Sequence, residues 1–101
     1  MGKNKYQDAV QSGIKILNNY FPDTFLWEWI IDRSKLNMAD NQNCILGQLF
    51  GFYRRGVEIL HPLKTTNREY LWEKWTIKNG FLIDFKESEL LTQEWKRQLH
   101  L

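Results

Sequence analysis

Apolar residues recur every three or four positions through the first part of the chain. The positions concerned are Tyr6, Ala9, Val10, Ile14, Leu17 and Tyr20. Residues three and four apart lie on one face of a helix, so this spacing is typical of an amphipathic helix. The pattern therefore predicts a first helix from Tyr6 to Tyr20.

A second short helix is predicted after Pro22, because proline suits the first turn of a helix. Its apolar residues form pairs at a spacing of four, which are Phe25 with Trp29 and Leu26 with Ile30. Residues 31–38 (IDRSKLNM) keep neither the helical nor the strand period over any length. They indicate a connecting segment with room for a short strand.

The segment CILGQLFGFYRRGVEIL, about residues 44–60, is apolar around nearly the whole helical circumference. That pattern is typical of a buried central helix. Cys44, Gly47 and Gly51 fall on one side of it. A glycine inside a helix costs about 1 kcal/mol relative to alanine, so we expect a neighbouring backbone to pack closely against this small-residue face. Gly56 is expected to end the buried part.

The last part of the chain predicts two more helices. Thr66 and Glu69 form a capping box, which marks the start of one of them. The pair Asn79-Gly80 has two interpretations, either a helix C-cap followed by Phe81 folding back or the turn of a hairpin between WTIK and FLID. The capping box favours the C-cap. A final helix opens at Asp84, with Glu87 three residues on, or at Ser88, and its inner face carries Leu91, Trp95 and Leu99.

The pattern as a whole predicts a mainly α protein. We expect one globular domain over residues 1–101, with four to five short helices packed around the buried central helix (44–60). A small two-stranded β element within residues 75–84 is the minor alternative. Five tryptophans and an aromatic content of 15% supply enough apolar area for the core of so short a chain.

Charge and cysteine content narrow the function classes. The 14 basic and 12 acidic side chains give a net charge of +2, which does not indicate a nucleic-acid-binding domain. A single cysteine excludes an internal disulfide and suits a reducing cytoplasm. The N-terminus lacks the apolar stretch of a signal peptide, and the longest near-apolar run, residues 45–53, is too short to cross a bilayer. We expect a cytoplasmic protein without membrane contact.

The segment NCILGQLFGFYRRG resembles a group of small bacteriophage and prophage proteins that share a Cys-x-Leu-Gly-Gln-Leu-x-Gly core. In that group, Trp/Ile-Asp and Leu-x-Met elements precede the core, and a Gly-Phe pair and a Leu-Thr-x-x-Trp helix follow it. The matching residues here are Trp29 with Ile31-Asp32, Leu36 with Met38, Gly80-Phe81, and Leu91-Thr92 with Trp95. The resemblance covers about residues 27–99 and implies a phage or mobile-element gene acting in a bacterial host cell. Because the group has no established activity, it implies no catalytic or binding residue.

Two polar residues of the core segment are candidates for chemistry. Cys44 stands near a helix start, where a thiolate is stabilised, but the only histidines that could act as its base are His61 and His100. A buried structural role is favoured, since free cysteine is among the most buried residue types. For Gln48 we favour pairing with a loop backbone, with residues 31–38 as its partner, over recognition of a ligand.

Basic residues concentrate between positions 53 and 78, where six of them face three acidic ones. They are Arg54, Arg55, Lys64, Arg68, Lys74 and Lys78. With Tyr53, the arginine pair is a candidate clamp for a phosphate or carboxylate. The alternative, which holds for most charge runs, is a solvated face.

The tryptophans divide into two sets. Trp29, Trp75 and Trp95 lie on helical stripes, which predicts that they are buried in the core. Trp27 and Trp72 fit the stripes less well and are the candidates for an exposed contact surface. A core position is nonetheless the favoured interpretation for each of the five.

These patterns favour a stoichiometric binder over an enzyme, because they show no metal-ligand spacing, phosphate-binding glycine loop or nucleophile elbow. No cofactor or metal is expected. With the resemblance, the leading hypothesis is a phage protein that antagonises a host antiviral defence factor, by occluding a host protein or sequestering a nucleotide-type ligand, as a monomer or a homo-oligomer. The alternatives are a nucleic-acid-binding accessory protein and a structural or assembly protein. The candidate binding residues are Tyr53, Arg54, Arg55, Lys64, Arg68, Lys74, Trp27 and Trp72.

Overall fold

The computed structural model of the chain describes residues 6–61, 69–81 and 87–100, with residues 69–72 described by their backbone alone. The helices are α1 (Gln7–Tyr20), α2 (Ile45–Phe50), α3 (Tyr53–Leu60), α4 (Glu69–Lys78) and α5 (Ser88–Leu99), and a 3₁₀ turn covers Trp27–Ile30. The described ranges contain no strand. The prediction of a mainly α fold is therefore confirmed.

Helix α1 has the predicted position, and its buried residues include Val10, Gly13 and Leu17. It packs against α5 and α4. The contact is close at Gly13, where a Cβ atom would collide with the carbonyl oxygen of Asn79. The sequence pattern showed the apolar face of this helix but not its need for a glycine.

The predicted central helix is wrong in one respect, because residues 44–60 form two helices. The chain turns between α2 and α3 at Gly51, whose φ of 101° lies in a region that side chains disfavour. The two helices then fold against each other. Gly56 lies at their contact, since its Cβ would be 2.8 Å from the Cβ of Leu46. Gly56 therefore lies inside the buried part and does not end it.

The close backbone contact expected for the small-residue face is confirmed at Gly47. A Cβ there would be 2.5 Å from the carbonyl oxygen of Asn41. Cys44 is the N-cap of α2, and its sulfur accepts a hydrogen bond from the Gly47 N–H at 3.2 Å. At Gly51, by contrast, no atom lies within 4 Å of a Cβ, so glycine is needed there for its backbone angle alone.

Residues 31–38 form turns without a strand, and they place Leu36 and Met38 in the core. Gln48 holds the start of this segment. Its Oε1 accepts the Asp32 N–H at 2.5 Å, while its Nε2 donates to the carbonyls of Asp32 and Asn43 at 3.2 and 3.1 Å. The predicted structural role of Gln48 is therefore confirmed.

The end of α4 confirms the C-cap interpretation for Asn79-Gly80. Gly80 has a φ of 71°, its N–H donates to the carbonyl of Ile77, and the Phe81 N–H donates to the carbonyl of Thr76. These two bonds define a Schellman motif, which rules out a hairpin turn at Gly80. Residues 82–84 of the second arm of that hairpin lie outside the described residues, as does Thr66 of the capping box.

The C-cap places Phe81 in the centre of the core. Its ring stacks on Trp95 of α5 at 5.7 Å between centroids, and the Trp95 Nε1 donates to the carbonyl of Gly80 at 2.7 Å. Leu91 is also buried and Leu99 partly so, which confirms the predicted inner face of the last helix. Trp95 thus joins α5 to the end of α4.

Glu94 is a buried carboxylate in the same helix. Burial raises the pKa of Glu94, but hydrogen bonds from Arg97 and Gln98 and the charge of Arg97 outweigh this, so its pKa lies below the usual value. The Gln98 Nε2 bonds the carboxylate at 2.6 Å and also donates to the backbone carbonyl of Gln7 at 2.9 Å. Glu94 therefore helps to fasten α5 to the start of α1.

We expect Glu94→Gln to lower the free energy of unfolding by about 1–3 kcal/mol near pH 7, since hydrogen bonds to a charged group are removed. A carboxyl whose folded pKa is depressed stabilises the protein above its unfolded pKa of about 4, and this contribution is lost as the pH falls through the lower folded value. Urea unfolding of both proteins near pH 7 and near pH 3 measures the difference. A gap of equal size at both pH values would contradict the assignment.

Candidate functional site

The core position favoured for Trp27 is confirmed, whereas the core position predicted for Trp29 is wrong. Trp27, a candidate for the contact surface, is only 2% exposed, and its Nε1 donates to Asn18 Oδ1 at 2.9 Å. Trp29, predicted to be in the core, is 83% exposed. The reason is local, because residues 27–30 form a 3₁₀ turn with three residues per turn and not an α-helix. Leu26 and Trp29, three apart, therefore share an outward face, and the helical pairs predicted for this segment are wrong.

Trp29 belongs to an aromatic surface, a name used here for Tyr20, Phe21, Phe25, Leu26, Trp29, Ile30 and Phe50. Ring contacts connect most of its aromatic members, with Phe21 at 4.9 Å from Tyr20, 5.0 Å from Phe25 and 5.8 Å from Phe50. Leu26 and Trp29 continue it along the 3₁₀ turn, and both are more than half exposed. Five of its seven residues are exposed, while Phe21 and Phe50 are partly buried. Such a concentration of exposed apolar side chains is characteristic of a surface that another molecule covers.

A pocket of about 250 Å³ opens beside the aromatic surface, between the end of α1 and the 3₁₀ turn. The aromatic residues Phe21, Phe25 and Trp27 line it together with the acidic residues Asp23 and Glu28. Within the described residues, neither carboxylate has an ion-pair or hydrogen-bond partner. The pocket therefore combines aromatic walls with two uncompensated negative charges.

Sequence reasoning missed this pocket and most of the aromatic surface. One signal was present, because residues 16–32 contain three acidic residues and no lysine, arginine or histidine. Apart from Trp27, the predicted binding residues all lie outside this acidic and aromatic stretch. Of the predicted binding residues, Trp27 does contribute to the site, although as a buried wall and not as an exposed contact.

The predicted clamp of Tyr53, Arg54 and Arg55 is not formed. Tyr53 turns inward, and burial raises its pKa to about 12. A hydrogen bond with Thr76 of α4 lowers the pKa, but by less than burial raises it. Both arginines point outward and are exposed. Arg54 pairs with Glu58 one helical turn away at 3.4 Å, an exposed pairing that contributes little to stability.

The remaining basic candidates do not converge on a cavity among the described residues. Lys74 and Lys78 are exposed on α4, while Lys64, Arg68 and the side chain of Trp72 lie outside the described part of the structure. A second and larger cavity, an open groove of about 540 Å³, runs between residues 34–39 and α5. Lys35 and Lys96 line it together with Glu89, and no predicted binding residue does.

The structural role predicted for Cys44 is confirmed. Its thiol is fully buried, and burial raises its pKa to about 11, so near neutral pH it is the protonated form that caps α2. A thiol in this state is a poor nucleophile. His61 packs its ring edge-on against Trp75 at 5.3 Å, while His100 is exposed at the end of α5.

Three further observations concern the described residues or the whole sequence. No group of three or more His, Cys, Asp and Glu side chains in the described ranges is placed to hold a metal ion. None of the described helices has the length and apolar character needed to cross a membrane. The chain matches no family model, no curated protein and no solved structure with which it was compared.

Proposed function

We propose that this protein is a phage-encoded, non-enzymatic binder that antagonises a host antiviral defence factor by covering part of a host protein with its aromatic surface. The observation that carries the proposal is the 83% exposure of Trp29 at the edge of a connected group of apolar side chains. Tryptophan is enriched among the few residues that supply most of the binding energy of protein interfaces. A core this small gains no stability from a tryptophan left in water.

The geometry favours occlusion of a protein over sequestration of a nucleotide. A nucleotide site needs cations that converge on its phosphates, whereas the described basic candidates Arg54, Arg55 and Lys74 line neither cavity. The larger groove is lined by Glu89 as well as by Lys35 and Lys96, so its net charge is smaller than that of the two lysines. The aromatic surface, in contrast, has the chemical character of a protein interface core.

The phage context and the defence target rest on the resemblance of residues 27–99 to small phage and prophage proteins. For a phage protein of this kind, the proposal is that it acts through stoichiometric contact with its target. Expression in bacteria that each carry one antiviral defence system tests this. The protein should raise the plating efficiency of a sensitive phage on at least one such strain.

Trp29→Ala is expected to remove that effect while leaving the fold intact. Truncating a tryptophan that anchors a protein interface weakens binding by about 2 kcal/mol or more, roughly 30-fold. The free energy of unfolding should change by less than about 0.5 kcal/mol, because the side chain is exposed. Plating efficiency and urea unfolding measure the two effects.

The control for this variant is the double substitution Arg54→Ala/Arg55→Ala, which removes two exposed cations that belong neither to the aromatic surface nor to the lining of the pocket beside it. It should plate like the unchanged protein. If Trp29→Ala raised plating efficiency as much as the unchanged protein does, the proposal would be contradicted. Loss of activity in the arginine variant alone, together with salt-sensitive binding of DNA or RNA, would instead favour a nucleic-acid-binding accessory protein.

A further inference from the structure

We infer that the pocket beside the aromatic surface receives an arginine side chain of the partner protein. This inference rests on the proposed function, since it names what the partner presents to the surface. It adds a charged anchor to an otherwise apolar contact. The partner would insert the arginine between Asp23 and Glu28 and cover Leu26 and Trp29 with apolar residues around it.

The size of the pocket favours a single side chain. Its volume of about 250 Å³ lies below the range of about 300–1,000 Å³ that is usual for sites of small-molecule ligands. It also opens at the protein surface next to exposed Phe25 and Leu26. A long side chain that projects from a covering protein can therefore reach it, while its flanking residues contact the aromatic surface.

The chemistry of the walls favours a planar cation. The faces of aromatic rings attract a cation electrostatically, and Phe21, Phe25 and Trp27 all contribute to this pocket. Carboxylates bind a guanidinium through charge-assisted and often bidentate hydrogen bonds. Arginine satisfies both conditions at once, and because it is more weakly hydrated than lysine it loses less on entering an apolar site.

The charge of the surroundings supports the same occupant. No basic residue lies between Lys15 and Arg33 in the sequence, and the described residues supply no internal cation to Asp23 or Glu28. The two carboxylates are therefore available to an incoming positive charge. They would also attract it from a distance, which raises the rate of association at low salt.

The test titrates N-acetyl-arginine amide into the ¹⁵N-labelled protein and follows amide and indole signals by NMR. We expect saturable shifts, in the millimolar range for so small a probe, at the Asn18, Phe25 and Glu28 amides and at the indole N–H of Trp27. The neutral analogue N-acetyl-citrulline amide should give no such shifts. Equal shifts from both probes would overturn the inference, because charge would then play no part.

Variants separate this inference from the proposed function. Asp23→Asn/Glu28→Gln should weaken binding of the arginine probe at least tenfold, whereas Glu89→Gln, an exposed carboxylate in the other groove, should leave it unchanged. Trp29→Ala should also leave it unchanged, since Trp29 does not line the pocket, yet should lose activity on defended strains. Loss of activity in Trp29→Ala without any binding of the probe would overturn the inference alone. Probe binding by a protein that protects phage on no strain would overturn the proposed function alone.

A second copy of this chain is the competing source of an arginine. Sedimentation over a range of protein concentrations distinguishes the two sources. A monomer at all concentrations supports a different protein as the partner. A dimer that Asp23→Asn/Glu28→Gln disrupts would overturn that assignment.

Discussion

Trp95→Ala is expected to lower the free energy of unfolding by about 3–5 kcal/mol, a large part of the roughly 5–15 kcal/mol that stabilises a typical domain. The side chain is fully buried and connects three helices. Its ring stacks on Phe81, and its Nε1 holds the Gly80 carbonyl at the end of α4. The same ring lies 3.1 Å from the position that a Cβ of Gly13 in α1 would take.

Two variants show which part of this loss comes from which contact. Trp95→Phe keeps an aromatic ring but leaves the Gly80 carbonyl without its donor, and should lose about 1–3 kcal/mol. Trp29→Ala makes the same change as Trp95→Ala at an exposed site and should be nearly neutral. Urea unfolding measures all three. Similar losses for Trp29→Ala and Trp95→Ala would mean that the core and surface positions of these residues are misassigned.

The prediction of the fold was accurate where the helical spacing of apolar residues continued over several turns or where specific residues marked the end of a helix. The first helix and the last one show apolar residues on one face and polar ones on the other, and the structure places both as predicted. The end of α4 was predicted correctly because Asn79-Gly80 offered a specific chemical reason for a left-handed residue. Pattern and local chemistry agreed in these three places.

At the centre of the chain, the pattern of apolar residues does not determine the number of helices. A segment that is apolar on all sides fits one long buried helix and also two short helices that bury their faces against each other. The period cannot separate these arrangements. The break depends on a single residue, Gly51, whose positive φ only the structure shows.

The exposure of Trp29 was mispredicted for a related reason. Whether Trp27 or Trp29 faces water depends on whether residues 27–30 form a 3₁₀ helix, with three residues per turn, or an α-helix, with 3.6. A segment of four residues is too short for its apolar pattern to show which of the two it forms. The pocket depends further on how the end of α1 meets that turn, which is tertiary information. The sequence did show that this stretch contains acidic residues and no basic ones.

Most residues that carry the resemblance to phage proteins have structural roles in this fold. Cys44 caps α2, Gln48 holds the preceding segment 31–38 through the backbone of Asp32, and Thr92 accepts the Met38 N–H at 2.9 Å. Gly80 caps the end of α4, Phe81 lies in the core, and Trp95 stacks on Phe81. The motif therefore specifies how the chain folds, and the surface proposed for binding lies mostly outside it.

Gly47→Ala is expected to destabilise the protein by about 2 kcal/mol or more, although alanine favours a helix over glycine by about 1 kcal/mol. The added methyl group would lie 2.5 Å from the Asn41 carbonyl oxygen and 2.6 Å from the carbonyl carbon of Gln42. Both are backbone atoms, so no rotamer change relieves the collision. Moving the loop away would also strain the bond at 2.8 Å from the Tyr53 N–H to the Asn41 oxygen, which holds the start of α3.

Urea unfolding and amide hydrogen exchange at Tyr53 measure the effect. Exchange at that amide should accelerate in Gly47→Ala. Gly51→Ala is the matched control, since its methyl group would meet no atom within 4 Å and its cost of about 1–2 kcal/mol would arise from backbone strain alone. A gain in stability for Gly47→Ala, which helix propensity alone predicts, would show that the loop does not press against α2 at this point.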